Sequence, residues 1–573
     1  MHMSEHQFVT HDGVELFYRA WLPQEPVTRA VLLLHRGHEH SARWAETVAA
    51  LAAPGTAFFA PDQRGHGRSP GARGFAPNIA ALIKDIDTFA RHVWQTHRIT
   101  PHDTAIVASS VGAVLASAWV HDFAPQVRAM VLAAPAFDVN LYVPLAVPAL
   151  RFKEKLLPGG TVTSYVKARM LTHDAEQVRA YDADPLIFKQ ISIALLLDLH
   201  DAGRRLVDDA AAIRTPTLIL AAGRDYVVKL NAQRRFFARL GSTHKQFEVL
   251  PGTFHAMFHE QNRAAICTRV RGFLDEAFAR PVPGDDDLLH ADRGGFTRTE
   301  YDLLRAPGAL KWRLQRAVLK TFGRLSRGVT LGWQTGFDSG HTLDYVYQNK
   351  AHGFPLLGTM IDRNYLNAIG WRGIRVRRQN LDTLLRRVML ERHAAGERVH
   401  ILDIAAGPGR YVIEALHGLP QVGATALLRD YRQDNLDAAA ALANALGVAN
   451  VAMQCADAFD RASLAAISPQ PTVAIASGIY ELFPDNTAVR QSLAGIADAL
   501  APAGHLIYTC QPWHPQVEMI ARVLTNREGQ PWVMRRRSQA ELDALVRAAG
   551  FEKVDQLTDN FGIFSVSVAR KAT

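Results

Sequence analysis

The sequence predicts an α/β protein made of two doubly wound domains in tandem, each a mostly parallel sheet with helices on both faces. Three observations predict it. Short β-rich apolar runs bounded by turn residues alternate with longer helix-like stretches, as in a parallel sheet buried on both sides. The alternation stops at a segment rich in Pro, Gly and Asp, 281–295 (PVPGDDDLLHADRGG), and then restarts. Finally, 573 residues are too many for one hydrophobic core.

Composition narrows the class further. Apolar residues make up 48% and charged residues 21%, the balance of an ordinary folded protein. The net charge is +9, but the arginines are scattered, so no basic groove is marked out and nucleic-acid binding is not expected. No run of 18 apolar residues exists, and the start MHMSEHQFVTHDG lacks the charged-then-apolar plan of a signal peptide, which points to the cytosol. Cys267, Cys455 and Cys510 lie far apart without a CxxC pair, which argues against a disulfide framework and a zinc site.

In the first half the runs are 31–35 (VLLLH), 56–62 (TAFFAPD), 104–109 (TAIVAS), 127–135 (VRAMVLAAP), 217–223 (TLILAAG) and 247–252 (FEVLPG), with 76–97 among the helix-like stretches. Three of them end in residues with chemistry. After TAIVAS comes Ala108-Ser109-Ser110-Val111-Gly112, a strand-to-helix turn with small residues two before and two after Ser110. A sharp nucleophile elbow demands such flanks. TLILAAG ends in Gly223-Arg224-Asp225, and FEVLPG leads into Thr253-Phe254-His255. Ser110 is thus the candidate nucleophile, His255 its base and Asp225 the acid orienting the imidazole. His259, four residues further on, is the alternative base.

The chain order Ser, Asp, His is that of the α/β-hydrolases. The segment 35–44 (HRGHEHSARW) resembles the HGxGEHSxRY of the monoacylglycerol lipase and lysophospholipase group (serine aminopeptidase S33 type), and 62–69 (DQRGHGRS) is similar to its DxRGHGxS turn. The resemblance covers about residues 8–275. It implies an oxyanion hole from the backbone N–H groups of Gly37 and Val111. Arg36 and His38 replace the glycines usual in that segment; they either meet an anionic head group at the pocket mouth or point to solvent. The insertion at about 137–208 corresponds to a helical cap. Its apolar runs 141–150 (LYVPLAVPAL) and 191–199 (ISIALLLDL) suit an acyl chain or pack on the body, and in either case are expected to be buried.

In the second half the runs are 399–405 (VHILDIA), 424–430 (ATALLRD), 450–457 (NVAMQCAD), 472–477 (TVAIAS) and 504–510 (GHLIYTC). The first passes into a glycine turn, DIAAGPG, where the backbone can approach a ligand closely. A turn of this kind also serves dinucleotides, so the rest of the set must decide. Asp430 ends the second strand, where an acid binds ribose hydroxyls. Asp457 ends the third, and Ala458 follows with a backbone N–H for the adenine edge. A helix, 538–551, ends in AGF and is followed by the β-rich tail 561–570. The set resembles the class I methyltransferases, which use S-adenosylmethionine, over about 398–570. Asp403 to Gly409 matches their motif I, with Ala405 in place of its first glycine. The resemblance implies that Asp403, Ala405, Gly407, Gly409, Asp430, Asp457 and Ala458 hold the cofactor. The mainly helical stretch before it resembles the extension of a bacterial subgroup often fused to such hydrolases.

Tyr480, Glu481 and His514 fall near strand ends on the acceptor side, and 332–340 (GWQTGFDSG) is either part of an acceptor pocket or a packed loop. The stretch 309–327 carries Leu310, Leu314, Val318, Phe322 and Leu325 at helical spacing among Lys and Arg. Such a stripe covers the domain's own core or lies peripherally on an anionic membrane. The sequence therefore reads as a bifunctional enzyme on small-molecule or lipid substrates: hydrolase 1–280, linker 281–297, helical extension 298–397, methyltransferase 398–573. The alternatives are a scaffold with one half inactive, and a nucleic-acid methyltransferase with an accessory hydrolase.

Overall fold

The computed structural model describes residues 1–572, which form two compact units divided between Pro283 and Gly284. The strands of the first unit are β1 (His2–Val9), β2 (Glu15–Leu22), β3 (Arg29–Leu34), β4 (Thr56–Pro61), β5 (Thr104–Ser109), β6 (Ala129–Ala133), β7 (Thr161–Thr163), β8 (Gln190–Ser192), β9 (Thr217–Ala222) and β10 (Lys245–Leu250). Eight make one sheet in the order β1-β2-β4-β3-β5-β6-β9-β10. The β1–β2 and β2–β4 pairs are antiparallel and the rest parallel. Every residue of β4, β5, β6 and β9 is buried, as helices on both faces require. The apolar runs mark β3 to β6, β9 and β10. They miss β1, an edge strand whose residues (HMSEHQFV) mostly face water.

The insertion between β6 and β9 holds the β7–β8 hairpin and the helices Ala146–Leu156, Ala175–Ala183 and Ile193–Asp208. The last of these starts at Ser192, whose hydroxyl accepts the Leu195 amide, and buries Ile193, Leu195, Leu199 and Leu206. Helix Ala146–Leu156 buries nothing. The run LYVPLAVPAL, expected inside, instead leaves Tyr142, Val143 and Leu145 on the surface, with Leu145 78% exposed.

The second unit contains β11 (His400–Asp403), β12 (Thr425–Asp430), β13 (Val451–Cys455), β14 (Val473–Ala476), β15 (His505–Cys510), β16 (Phe551–Thr558) and β17 (Ser565–Lys571). Their order is β13-β12-β11-β14-β15-β17-β16, parallel as far as β15, with β17 and β16 antiparallel. The order reverses between β11 and β14, and a ligand crevice opens at the strand ends beside such a reversal. Helices from Phe296 to Ala394 precede β11, and Val329, Phe337, Leu366 and Trp371 among them pack with Trp532 and Phe564.

The expected linker 281–297 is not one. From Asp286 it forms short helices that belong to the second unit. Asp285 pairs with Arg547 at 2.8 Å, the Asp292 carboxylate accepts the Asn486 amide at 2.8 Å, and Thr297 accepts a hydrogen bond from the buried Arg535 at 3.0 Å. The segment reads as a linker because the partners of its acidic residues lie some two hundred residues away in sequence.

Candidate functional site

Ser110 sits at φ 55°, ψ −114°, in the turn between β5 and helix Val111–Phe123. A side chain holds such a backbone only where its surroundings fix it. Here the Ser110 amide donates to Ala133 O at 2.9 Å, and a Cβ on Gly112 would lie 2.5 Å from the carbonyl oxygens of Leu34 and His35. The small residue after the serine is therefore a steric necessity, and the turn pushes Oγ out at the strand end.

There it meets the other two residues. His255 Nε2 is 2.8 Å from Ser110 Oγ, and His255 Nδ1 is 2.9 Å from Asp225 Oδ2. The other carboxylate oxygen of Asp225 accepts the amides of Val227 and Val228 at 2.7 and 3.0 Å. Burial works to raise the Asp225 carboxyl, but His255 and these amides hold it below the usual carboxylate range. A carboxylate at Nδ1 fixes the proton there, leaving Nε2 to accept the Ser110 proton. The structure thus brings Ser110, His255 and Asp225 into one buried line. His259 stays out of it: its Nε2 lies 3.1 Å from Arg43 O, and burial pushes its imidazole down to about 4. Gly37 packs against Val111, where an added Cβ would come within 3.3 Å of the valine side chain.

Arg36 and His38 do neither of the things expected of them. Arg36 is buried, with Nε and Nη2 each 2.6 Å from a Glu39 carboxylate oxygen and the Tyr181 ring 5.2 Å from its guanidinium carbon. Burial alone would raise the Glu39 carboxyl, and Arg36 holds it well below its ordinary range. His38, half-buried with φ 70°, sets its ring edge-on to Phe188. His40 meets Asp184 at 2.9 Å and Arg43 meets Gln177 at 3.0 Å. The segment is thus fastened to the inserted helices and satisfies its own charge, with no guanidinium left for a head group. Glu39 gave no sign of this in the sequence beyond its three-residue spacing from Arg36.

In the second unit a cleft of about 590 Å³ opens over the turn after β11. Ala405, Gly407, Gly409, Asp430, Asp457 and Ala458 all line it. Gly407 and Gly409 have φ of 54° and 62°, the left-handed region that favours glycine. A Cβ on Gly407 would meet nothing nearer than 3.9 Å and would fill the cleft itself, whereas one on Gly409 would lie 2.4 Å from Leu428 Cδ1. The first glycine gives a ligand room, and the second lets the turn close on β12. Asp430 accepts the Gly407 amide at 2.9 Å and the Asn435 side chain at 3.1 Å, so it braces the turn as well as facing the cleft. Asp457 is exposed and accepts the Phe459 amide at 2.9 Å.

Asp403 does not reach the cleft wall. It is fully buried beneath the turn, where burial pushes its carboxyl up to about 7 and Tyr411 donates a hydrogen bond to it. Tyr480 is likewise buried, its hydroxyl 3.1 Å from that of Ser492, whereas Glu481 and His514 line a second cavity. In 332–340, Phe337 is core, while Asp338 and Gly340 line the cleft. Asn435 and Arg377, also on the cleft, carry no motif that would have marked them in the sequence.

Comparison with known proteins finds two families in tandem along the chain. Residues 25–262 match the family described as "Serine aminopeptidase, S33", and residues 270–571 match the family described as "Putative methyltransferase". The chain is 46% identical over 575 residues to "Uncharacterized protein YnbC" of Escherichia coli, covering 99% of this chain and 98% of that protein. It is 28% identical over 273 residues to a monoacylglycerol lipase of Mycolicibacterium smegmatis, covering 47% of this chain and 96% of the relative. A crystal structure of Paleococcus ferrophilus monoacylglycerol lipase aligns with 48% of this chain at 22% identity and a TM-score of 0.41. The second match spans more than half of the residues and the YnbC alignment nearly all of them, so the chain belongs to the family described as "Putative methyltransferase", carrying an S33-type hydrolase domain ahead of the methyltransferase domain.

Proposed function

We propose that the chain is a bifunctional enzyme: a serine ester hydrolase of lipase or lysophospholipase type joined to an S-adenosylmethionine-dependent methyltransferase, both working on lipid-related substrates. The observation that carries the hydrolase is the unbroken line from Asp225 through His255 to Ser110. In this reading Ser110 Oγ attacks an ester carbonyl while His255 Nε2 takes its proton. The amides of Gly37 and Val111 receive the charge that develops on the carbonyl oxygen. His255 returns the proton to the leaving alcohol and then draws one from water to release the acid. The exposed apolar residues of the inserted segment favour a lipid ester over a polar one.

For the second domain the support is the glycine turn, with its open space at Gly407 and acids at the ends of β12 and β13. Asp430 would hold the ribose hydroxyls, and Asp457 with the Ala458 amide would hold the adenine edge. When bound, S-adenosylmethionine supplies a methyl group on positively charged sulfur.

We place the protein in the cytosol, in peripheral contact with anionic membrane through 309–327. On helix Leu310–Thr321 and just beyond it, Leu310, Leu314, Val318 and Phe322 are exposed among Lys311, Arg313, Lys320 and Arg324, and no described helix is long and apolar enough to cross a membrane. Co-sedimentation with phosphatidylglycerol vesicles, and not with phosphatidylcholine ones, tests that contact. Ester hydrolysis and calorimetric binding of S-adenosylhomocysteine by the full chain test the two activities. An inert Ser110 or no heat of binding removes the corresponding half.

A further inference from the structure

The second domain holds another cavity, of about 180 Å³, beside the cleft. Asp338, Leu343, Arg377, Gly478, Leu482 and Trp532 line both, so the two spaces share a wall. Arg377 forms part of that wall. Gly478, at φ 69°, lets it lie close, since a Cβ there would be 3.2 Å from the guanidinium. The Phe564 ring packs 5.0 Å from the Arg377 guanidinium carbon, and Glu481 pairs with it at 3.7 Å.

Most of the remaining lining is aromatic and aliphatic, with Trp371 and Trp532 stacked at 6.3 Å between ring centroids. Such a surface holds an apolar body. Its polar atoms are specific. Gln511 is 4% and Trp532 8% exposed, yet Gln511 Nε2 and Trp532 Nε1 have no hydrogen-bond partner among the described residues. A buried donor left unpaired costs free energy that a ligand oxygen recovers. The acids differ in availability. Both carboxylate oxygens of Asp338 are engaged by Arg527, at 2.6 and 3.1 Å. The Glu481 carboxylate, by contrast, has among the described residues the looser Arg377 pair at 3.7 Å, with the Arg537 charge nearby. His514 is ill suited as a base: its Nδ1 accepts the Gln516 amide at 3.0 Å, and its Nε2 is pressed against Gly370, where a Cβ would come within 2.7 Å.

We propose that this cavity binds the methyl acceptor, and that the acceptor is a small apolar molecule carrying a hydroxyl and at least one further oxygen that accepts hydrogen bonds. The body packs on Trp371 and Trp532, the accepting oxygen takes the Gln511 and Trp532 donors, and the hydroxyl faces Glu481. On transfer the O–H bond breaks, its proton passes to the Glu481 carboxylate, and an O–CH3 bond forms as the S–CH3 bond breaks, the sulfonium charge being lost. This assignment rests on the methyltransferase reading above.

The test uses the full-length protein and methyl 4-hydroxybenzoate as probe, with toluene as an apolar control without oxygen. Probe binding is read from the fluorescence of the cavity tryptophans and cofactor-site binding from calorimetry with S-adenosylhomocysteine. The probe is expected to quench saturably, and Gln511→Leu to weaken it about tenfold while S-adenosylhomocysteine binding changes less than twofold. Glu481→Gln should keep probe binding and lose methyl transfer to the probe. Toluene binding as tightly as the probe, or a Gln511→Leu protein that binds the probe normally, overturns the assigned chemistry. S-adenosylhomocysteine binding without any probe binding overturns the acceptor site and leaves the methyltransferase reading intact. Failure of S-adenosylhomocysteine to bind overturns both.

Discussion

His255 and His259, four residues apart on one turn, serve different partners: His255 bridges Ser110 and Asp225, while His259 holds the carbonyl of Arg43 at 3.1 Å. The first lies in the hydrogen-bonded line with the serine and the second outside it, which on the proposed reading makes His255 the base. His255→Ala should lower p-nitrophenyl ester hydrolysis by at least about ten-thousand-fold with little change in melting temperature. His259→Ala should keep measurable activity and lose about 1–3 kcal/mol of stability from the orphaned carbonyl and vacated space. Reversed effects in rate assays and thermal melts would show that the turn is misassigned.

In the second domain Asp430 and Asp457 are not equivalent. Asp430 braces Gly407 and Asn435, so on the proposed reading Asp430→Ala removes a ligand contact and also loosens the turn that presents the others. Asp457, exposed, should contribute its own contact only. In calorimetry with S-adenosylhomocysteine, Asp457→Ala should weaken binding about five- to tenfold and Asp430→Ala about a hundredfold, within the range for an unpaired buried polar group. Equal effects would contradict the bracing role.

Residues 284–297 should be needed for the second unit to fold. A fragment starting at 284 keeps the Asp292 contact to Asn486 and the Thr297 contact to Arg535; one starting at 298 loses both. Arg535 keeps Glu541 at 2.8 Å and Asn486 at 3.3 Å, so the lost helix-end partner and the one lost hydrogen bond to the guanidinium together cost about 1–3 kcal/mol. Urea unfolding of the two fragments measures it, and matching midpoints would restore the linker.

These contrasts show what the residue order could reveal. Ser110, Asp225 and His255 were legible because each follows a short apolar strand, and a parallel sheet gathers such strand ends along one edge. Gly407 and Gly409 were legible because a strand, a tight turn and a helix leave little choice of residue. The Arg36–Glu39 pair was not, since whether a charge is solvated or buried depends on residues such as Tyr181, far along the chain. Thr297 was hidden for the same reason: its partner Arg535 is 238 residues away. Asp403 matched a motif by spacing, but only the structure shows Tyr411 holding it below the cleft.

Asp403 also predicts a pH effect. Burial raises its carboxyl from an ordinary 3.8 to about 7, so the folded state keeps the proton where the unfolded chain has lost it. Its contribution is fully present below pH 4 and is lost as pH rises towards 7, by at most about 1.4 kcal/mol per pH unit. Asp403→Asn keeps a partner for Tyr411 without titrating. Denaturation midpoints at pH 5 and pH 8 should therefore differ less in the variant than in the wild type, and an unchanged difference would deny Asp403 this role.

The reading of the first domain stands on Ser110 being a nucleophile that His255 activates. Intact-protein and peptide mass spectrometry after treatment with a fluorophosphonate measures this directly. One adduct per chain is expected, on the peptide containing Ser110, and it should vanish in Ser110→Ala and slow strongly in His255→Ala. An unlabelled wild-type protein, or an adduct that persists in Ser110→Ala, would contradict the assignment.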